Sequence, residues 1–405
     1  QFGVYAGNAG TVSRQDTKSG QSANVIINGM QFANNDGKSY LITGDDVYAA
    51  TNSTTIRVGD GTTAGASISA IFDTVLNDQL VSGGTSLVKT DLGTLILSKD
   101  QTYQGSTTIA DGVLQLGNGG TTGALAAGTA IHNNGILAIN HSNTFTLAQT
   151  IDGTGGLTQN GIGTTVLSAN NTYTGDTTVT AGTLEVDGSI ADSTVTASTN
   201  GTVSGTGILG KTVIAQGGTL APSGVQGNLT VQGTLQTDQN ATLALQGSNQ
   251  LSGTTMVLQG KDYQQLQSGL VTVTGSSALA GNVVLTVTPS TSLAMNQYYT
   301  ILTSANGFTQ KSYSLQSNLI SPYTFISPSL YYSGNDLDVL MARNSLSFAS
   351  VTDSRNERET AQMLDRLPQG NPMVQAMEYL NPADARRGMN ALSGEIHASA
   401  RTALI

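Results

Sequence analysis

The sequence predicts an all-β chain: a right-handed parallel β-helix (solenoid) with a C-terminal β cap and a short α-helical tail. Three observations lead there. The segment Leu87–Leu116 returns seventy residues later as Leu157–Val186, with no gap in register. Short strand-like runs broken by glycine fill the chain as far as Met341, with no proline before Pro222. From Arg343 onward the composition turns helical, with seven arginines, seven carboxylates and half of the eight methionines. A repeated unit of short strands and glycine turns marks a stacked solenoid, in which each rung buries its inner face only against its neighbours.

The 405 residues hold enough apolar material for a core, because 38% are hydrophobic and only 10% are charged, too few for a disordered chain of this length. A proline-free stretch fits continuous ladder hydrogen bonding. The lack of cysteine excludes disulfides and thiol chemistry and suits an oxidising compartment. A net charge of −10 argues against nucleic acid as a partner, since phosphate binding needs clustered Lys and Arg. No apolar run approaches the ~20 residues of a membrane helix.

Residues 1–80 read as irregular N-terminal rungs, carried by segments such as 24–49 and 53–76. Residues 81–190 contain the repeats. In them TLILS (94–98), GVLQLG (112–117) and GILAIN (135–140) place apolar residues two apart, the strand period. Glycine between them supplies the turns. A sandwich of hairpins is the alternative architecture. Residues 191–345 change spacing, and 298–348 hold nine of the twenty aromatics. The last rung of a solenoid must be closed against further strand addition, so bulky aromatics with Pro322 and Pro328 suit a cap. An aromatic carbohydrate-binding face is the other reading of that cluster.

Residues 346–405 read as helices. Ser354 and Glu357 have capping-box spacing, ahead of Ala361, Leu364 and Leu367. Asn371-Pro372 and Asn381-Pro382 each place a cap before a first-turn proline. The last helix is expected to align Ala385, Met389, Leu392, Ile396 and Ala400, and its small residues, Gly388 among them, suit a narrow space.

These features resemble the passenger and linker of a Gram-negative autotransporter (type V secretion), of the AIDA-like adhesin type. Both repeat copies show S-x-x-x-T-Y-x-G followed by T-T-x-x-x-G-x-L, as in passenger-associated transport repeats. The stretch 200–234, continued by YYTILTSANGF (298–308), resembles an autochaperone region, which in that family ends the passenger. LNPADARRGMNALSGEIHASARTAL (380–404) resembles the helix threaded through the translocator barrel. NGMQFANNDGKSYLITGDD (28–46) and IRVGDGT (56–62) resemble adhesin phrases. The resemblance implies a signal sequence before Gln1, barrel strands after Ile405 and a place at the cell surface. It also implies the chain's own outer-membrane barrel and the barrel assembly machinery as partners. An enzymatic domain upstream of Gln1 is compatible with it.

The residues themselves suggest no chemistry: no catalytic, cofactor-binding or metal site residue is assigned, and no cofactor is expected. A serine nucleophile needs a histidine base, and only His132, His141 and His397 exist. The first two read as turn residues on a solenoid, the third as a packing or lumen residue. No G-x-S-x-G or H-E-x-x-H motif occurs. Asp45, Asp46 and Asp60 with Arg57 are the nearest approach to a glycan-cleaving or calcium site, but G-D-D and G-D-G are ordinary turns. What remains is a Thr/Ser/Asn-rich surface able to bond a second copy, or host glycans and proteins. The expected function is therefore non-enzymatic adhesion or autoaggregation, aided by the autochaperone. The alternatives are the stalk of an upstream enzyme such as a subtilisin-like protease, and a β-helical glycan-cleaving enzyme.

Overall fold

The computed structural model describes residues 2–5, 11–14, 25–33, 39–224, 227–249, 256–258, 261–263, 266–288, 298–319, 321, 323–368 and 370–394. Two compact units are present. One comprises Gln1–Ala244, Gly269–Asn282 and Thr303–Tyr313; the other comprises Leu245–Ser268, Val283–Leu302 and Ser314–Ile405.

The first unit is a parallel β-helix with three faces. The first face stacks Gly29–Phe32, Ser53–Val58, Ser86–Thr90, Thr107–Ile109, Ile131–Asn133 and Ile151–Asp152 in parallel register. The second stacks Ser39–Gly44, Ser69–Asp73, Thr94–Leu97, Val113–Leu116, Ile136–Ile139, Gly156–Gln159 and Thr177–Val179. The third carries Thr144–Leu147, Thr164–Leu167, Gly182–Val186, Gly201–Gly205 and Thr219–Pro222. Because side chains alternate along a strand, each face turns one set inward. On the second face Ile42, Phe72, Leu97, Leu116 and Ile139 form one inner ladder, all buried. Each such side chain contributes roughly 1.5–3 kcal/mol by leaving water.

The repeat has a geometry that its sequence conceals. In the first copy Leu87 pairs with Thr107 and Leu95 with Leu114. In the second, Leu157 pairs with Thr177 and Thr165 with Leu184. Each copy thus stacks upon itself, first strand on third and second on fourth. The first copy lays these strands on the first and second faces, while the second copy lays them on the second and third. Successive first-face partners of Leu87 are Thr107, Ile131 and Ile151, so seventy residues amount to three rungs and one further face. The second copy is therefore turned by one face about the solenoid axis.

The internal contacts survive this rotation. Tyr103 and Tyr173 are fully buried, and each hydroxyl lies 2.7 Å from that of Thr107 or Thr177. Gln101 bonds back to the Lys99 carbonyl and accepts from the Leu76 amide; Asn171 bonds back to the Ala169 carbonyl and accepts from the Ile151 amide. Buried backbone groups left unpaired at the corners are satisfied in this way. Gly112 (φ +65°) and Gly182 (φ +59°) turn the same corner, and a methyl group there would come within 2.4 Å of the Asp91 oxygen or 2.3 Å of the Gly163 oxygen. Only glycine suits both the left-handed backbone and that approach.

In the second unit, Ile326–Ser333 and Asp336–Arg343 form an antiparallel hairpin. Three helices follow, α1 (Arg355–Asp365), α2 (Pro372–Glu378) and α3 (Pro382–Ser393). The predicted caps form: Ser354 and Glu357 make a reciprocal capping box, and the Asn371 and Asn381 side chains accept from first-turn amides ahead of proline. The helices pack around Phe325, Phe348, Ala361, Leu364, Val374, Met377, Ala385 and Met389. The Arg343 guanidinium lies 4.5 Å from the Phe348 ring centre and 5.1 Å from that of Phe325, with Asp365 and Glu378 both 3.8 Å away.

Two expectations change here. Helix α3 ends at Ser393 with Gly394 in the left-handed conformation, and Leu392 is exposed, so it does not continue the buried stripe of Ala385 and Met389. Ile396, His397 and Ala400 lie outside the described residues. The small size of Gly388 has a local cause, since a methyl group there would stand 2.9 Å from the Met377 sulfur. The aromatics also divide rather than acting together: Phe325 and Phe348 are buried with the helices, whereas Tyr298 and Tyr331 face solvent.

Candidate interaction surface

The residues weighed for chemistry do not converge. Arg57 pairs with Asp91, Nε to Oδ2 at 2.8 Å, instead of with the nearby Asp60. Burial opposes ionisation of Asp91, but bonds from Arg57 and the Leu92 and Gly61 amides outweigh it and hold its pKa below the usual carboxylate value. Asp60 accepts from the amide and hydroxyl of Thr62, and these bonds lower its pKa. The Asp45 carbonyl accepts from the Thr74 hydroxyl, and the Asp46 carboxylate from the Asn77 amide group at 3.3 Å. The Arg57–Asp91, Asp45–Thr74 and Asp46–Asn77 contacts tie one rung to the next, while the Asp60–Thr62 bonds close a turn. No group of three His, Asp or Glu side chains placed to hold a metal ion occurs among the described residues.

His132 stands on the first face with Asp152 one rung on, Nδ1 to Oδ1 at 2.8 Å, both half exposed. His141 is buried and stacked on Phe145 at 4.2 Å, and burial pulls its pKa below the ordinary histidine value.

The third face carries a feature that reading the sequence linearly misses. Thr144 pairs with Thr164, Thr164 with Thr183, Thr183 with Thr202, Thr202 with Thr219, and Thr219 with Thr242. Each precedes a buried residue and so points outward. Six threonines thus form one straight outer row at intervals of about 4.8 Å, roughly 24 Å in all. No hydrogen bond from any of the six side chains to another described residue is formed. Beside this row run Thr146, Val166, Glu185, Ser204 and Ala221, with Glu185 the lone ionisable group among them. The strip is therefore hydroxyl- and methyl-rich and nearly uncharged. The signal was present in the sequence, as a threonine at each of these positions, but finding it requires the register.

Residues 87–116 and 157–186 match the passenger-associated transport repeat family. The adhesin BmaC autotransporter of Brucella suis biovar 1 (strain 1330) is 35% identical over 211 residues, 47% of this chain and 6% of that protein. Together these two findings support reading the chain as part of an autotransporter passenger. The chain is also similar to extracellular serine proteases of Serratia marcescens. One is 32% identical over 253 residues, 60% of this chain and 22% of the protease, and the other 30% over 233 residues, 56% and 20%. The chain covers less than a quarter of the length of these relatives.

Proposed function

We propose that this passenger is a non-enzymatic adhesive segment, displayed at the cell surface and acting in adhesion or autoaggregation. The row of six outward threonines carries the reading. A regular row of free hydroxyls presents many equivalent hydrogen-bonding groups, each worth only about 0.5–1.5 kcal/mol but acting in parallel. A second copy of the same β-helix has the same rung spacing and matches it in register, and host glycans or proteins are the other candidates. The similarity to an adhesin autotransporter favours the same reading. In this proposal a C-terminal outer-membrane barrel beyond Ile405 anchors the passenger, delivered by the barrel assembly machinery. Residues 191–345 supply the last part of the β-helix, its autochaperone and its cap, and residues 346–405 link it to the barrel. Bacteria displaying the passenger should clump or bind host cells, and Thr164→Lys with Thr202→Lys should abolish this at unchanged display. Unchanged clumping and binding in that variant refutes the assignment.

A second reading, the stalk of an exported protease, is supported by the two serine protease matches. Sequencing the gene upstream of Gln1 tests it: a serine protease domain there favours the stalk, and continued rungs favour the adhesin.

A further inference from the structure

In the second unit a pair of exposed tyrosines stands next to an unusual carboxylate. In the hairpin, Tyr331 pairs directly with Asp338, so both side chains emerge on one side of the sheet. The flanking Leu337 and Val339 are wholly buried on the other side. Tyr298, at 56% exposure, meets Tyr331, at 47%, with ring centres 5.5 Å apart and planes tilted by 51°. Asp338 itself is only 3% exposed and accepts the Thr300 hydroxyl at 2.8 Å. It forms no ion pair with any described residue. The nearby charge that acts on it is Asp336, of the same sign.

A buried carboxylate without a cation is costly, and the aromatic rings of two half-exposed tyrosines at its side are attractive to positive charge. We propose that Tyr298, Tyr331 and Asp338 form a binding site for a quaternary ammonium group. The rings supply their π faces and the carboxylate supplies the opposite charge. A quaternary group suits the site better than a primary amine for two reasons. It has no N–H groups, whereas a primary ammonium has three to satisfy and Asp338, with Oδ1 already accepting from Thr300, leaves chiefly Oδ2. It is also weakly hydrated and sheds water readily on contact with the rings. Burial, reinforced by Asp336, raises the Asp338 pKa, the condition that a bound cation would relieve.

The experiment titrates choline chloride into the passenger and follows the tyrosine ring resonances by NMR. Choline should shift the Tyr298 and Tyr331 signals saturably. Its uncharged analogue 3,3-dimethyl-1-butanol should bind about tenfold more weakly or not at all. Tyr298→Ala, Tyr331→Ala and Asp338→Asn should each weaken choline about tenfold, with the melting temperature recording that the fold is kept. Both tyrosines are exposed, so their substitution keeps the proposal testable even if Asp338→Asn unfolds the hairpin. Binding to phosphatidylcholine but not phosphatidylglycerol vesicles identifies a lipid headgroup as the source, and choline binding without vesicle binding identifies a free ligand. No saturable choline shift, equal binding of the neutral analogue, or full affinity in both tyrosine variants overturns the proposal.

Discussion

Lys89 offers the sharpest test of how the repeat is built. Its side chain stands in the inner ladder of the first face between Ile56 and Ile109 and is fully buried. Its ammonium donates to the carbonyls of Asp91 at 2.5 Å, Asp111 at 2.9 Å and Thr90 at 3.1 Å. Burial pushes its pKa down to about 8, against weaker support from Asp91 and Asp111. The unfolded chain, with an ordinary lysine near 10.4, binds the proton more tightly, so stability rises with pH between these two values. The full effect is about 3 kcal/mol, absent below pH 8 and present above 10.5. Tyr103 and Tyr173 act oppositely. Burial raises both phenols, Tyr173 to about 12, so their contribution is lost as pH climbs past 10. The clean window is pH 8–10.

In the second copy Gln159 takes this place, bonding the Gly161 carbonyl at 2.9 Å and accepting the Thr165 hydroxyl at 2.7 Å. The first copy has Leu95 where the second has Thr165. A lysine has only donors and is content beside leucine; a glutamine also carries an acceptor, which needs the threonine. Lys89→Gln alone should therefore remove the pH-dependent rise yet leave a buried oxygen unsatisfied, at about 1–3 kcal/mol. Adding Leu95→Thr should restore the partner, giving a favourable coupling of about 1–3 kcal/mol in the double-mutant cycle. Amide exchange within residues 87–116, followed from pH 8 to 10 and corrected for intrinsic rates, reads both quantities. The same pH slope in wild type and Lys89→Gln, or zero coupling, refutes this account of the corner.

Gly182→Ala should cost about 1 kcal/mol or more through its positive φ and the close Gly163 oxygen, read as a lower urea midpoint, while Gly120→Ala, in open space, should be nearly silent. Tyr173→Phe should cost about 1 kcal/mol by removing the bond to Thr177, measured by local amide exchange. Asp91→Asn should lose stability at pH 7 and converge on wild type in acid. A depressed carboxylate pKa stabilises above its unfolded value and stops doing so as pH falls through the folded one, so acid titration of the unfolding midpoint checks this.

The solenoid was legible because its signals are local: inward Leu at alternate positions, glycine at the corners and a repeat without gaps. The helix caps of the tail, one capping box and two Asn-Pro starts, were legible for the same reason, each being complete within four residues. The turning of the second repeat copy was not, because it depends on the summed length of the intervening rungs. Those rungs advance by 20, 24 and 20 residues on the first face, and nothing in the strand pattern fixes which corner a loop will skip. The division of the aromatics escaped for a related reason. Phe325 and Phe348 find their partners in helices up to forty residues and more away, a pairing that composition cannot reveal.

The rotation also separates what the repeat preserves from what it presents. Between copies most inward and corner positions stay close in kind, Leu87 and Leu157, Leu114 and Leu184, Tyr103 and Tyr173, Gly112 and Gly182, with the coupled change of Lys89 and Leu95 to Gln159 and Thr165 as the exception. Some outward positions change, Val88 to Thr158 and Gln115 to Glu185, and all of them look out from different faces of the solenoid in the two copies. A ligand recognised by the repeat as such would meet its two copies pointing in different directions. Self-stacking within thirty residues needs no fixed face, so the repeat makes physical sense as a unit of construction. In the proposed adhesive role, recognition would fall to features that keep one direction across many rungs. The threonine row does this, passing through the second repeat at Thr164 and Thr183 and on through three rungs beyond it. Lysines at two of its positions should disturb partners and leave the rungs folded, whereas substitutions at Tyr173 or Gly182 should do the reverse.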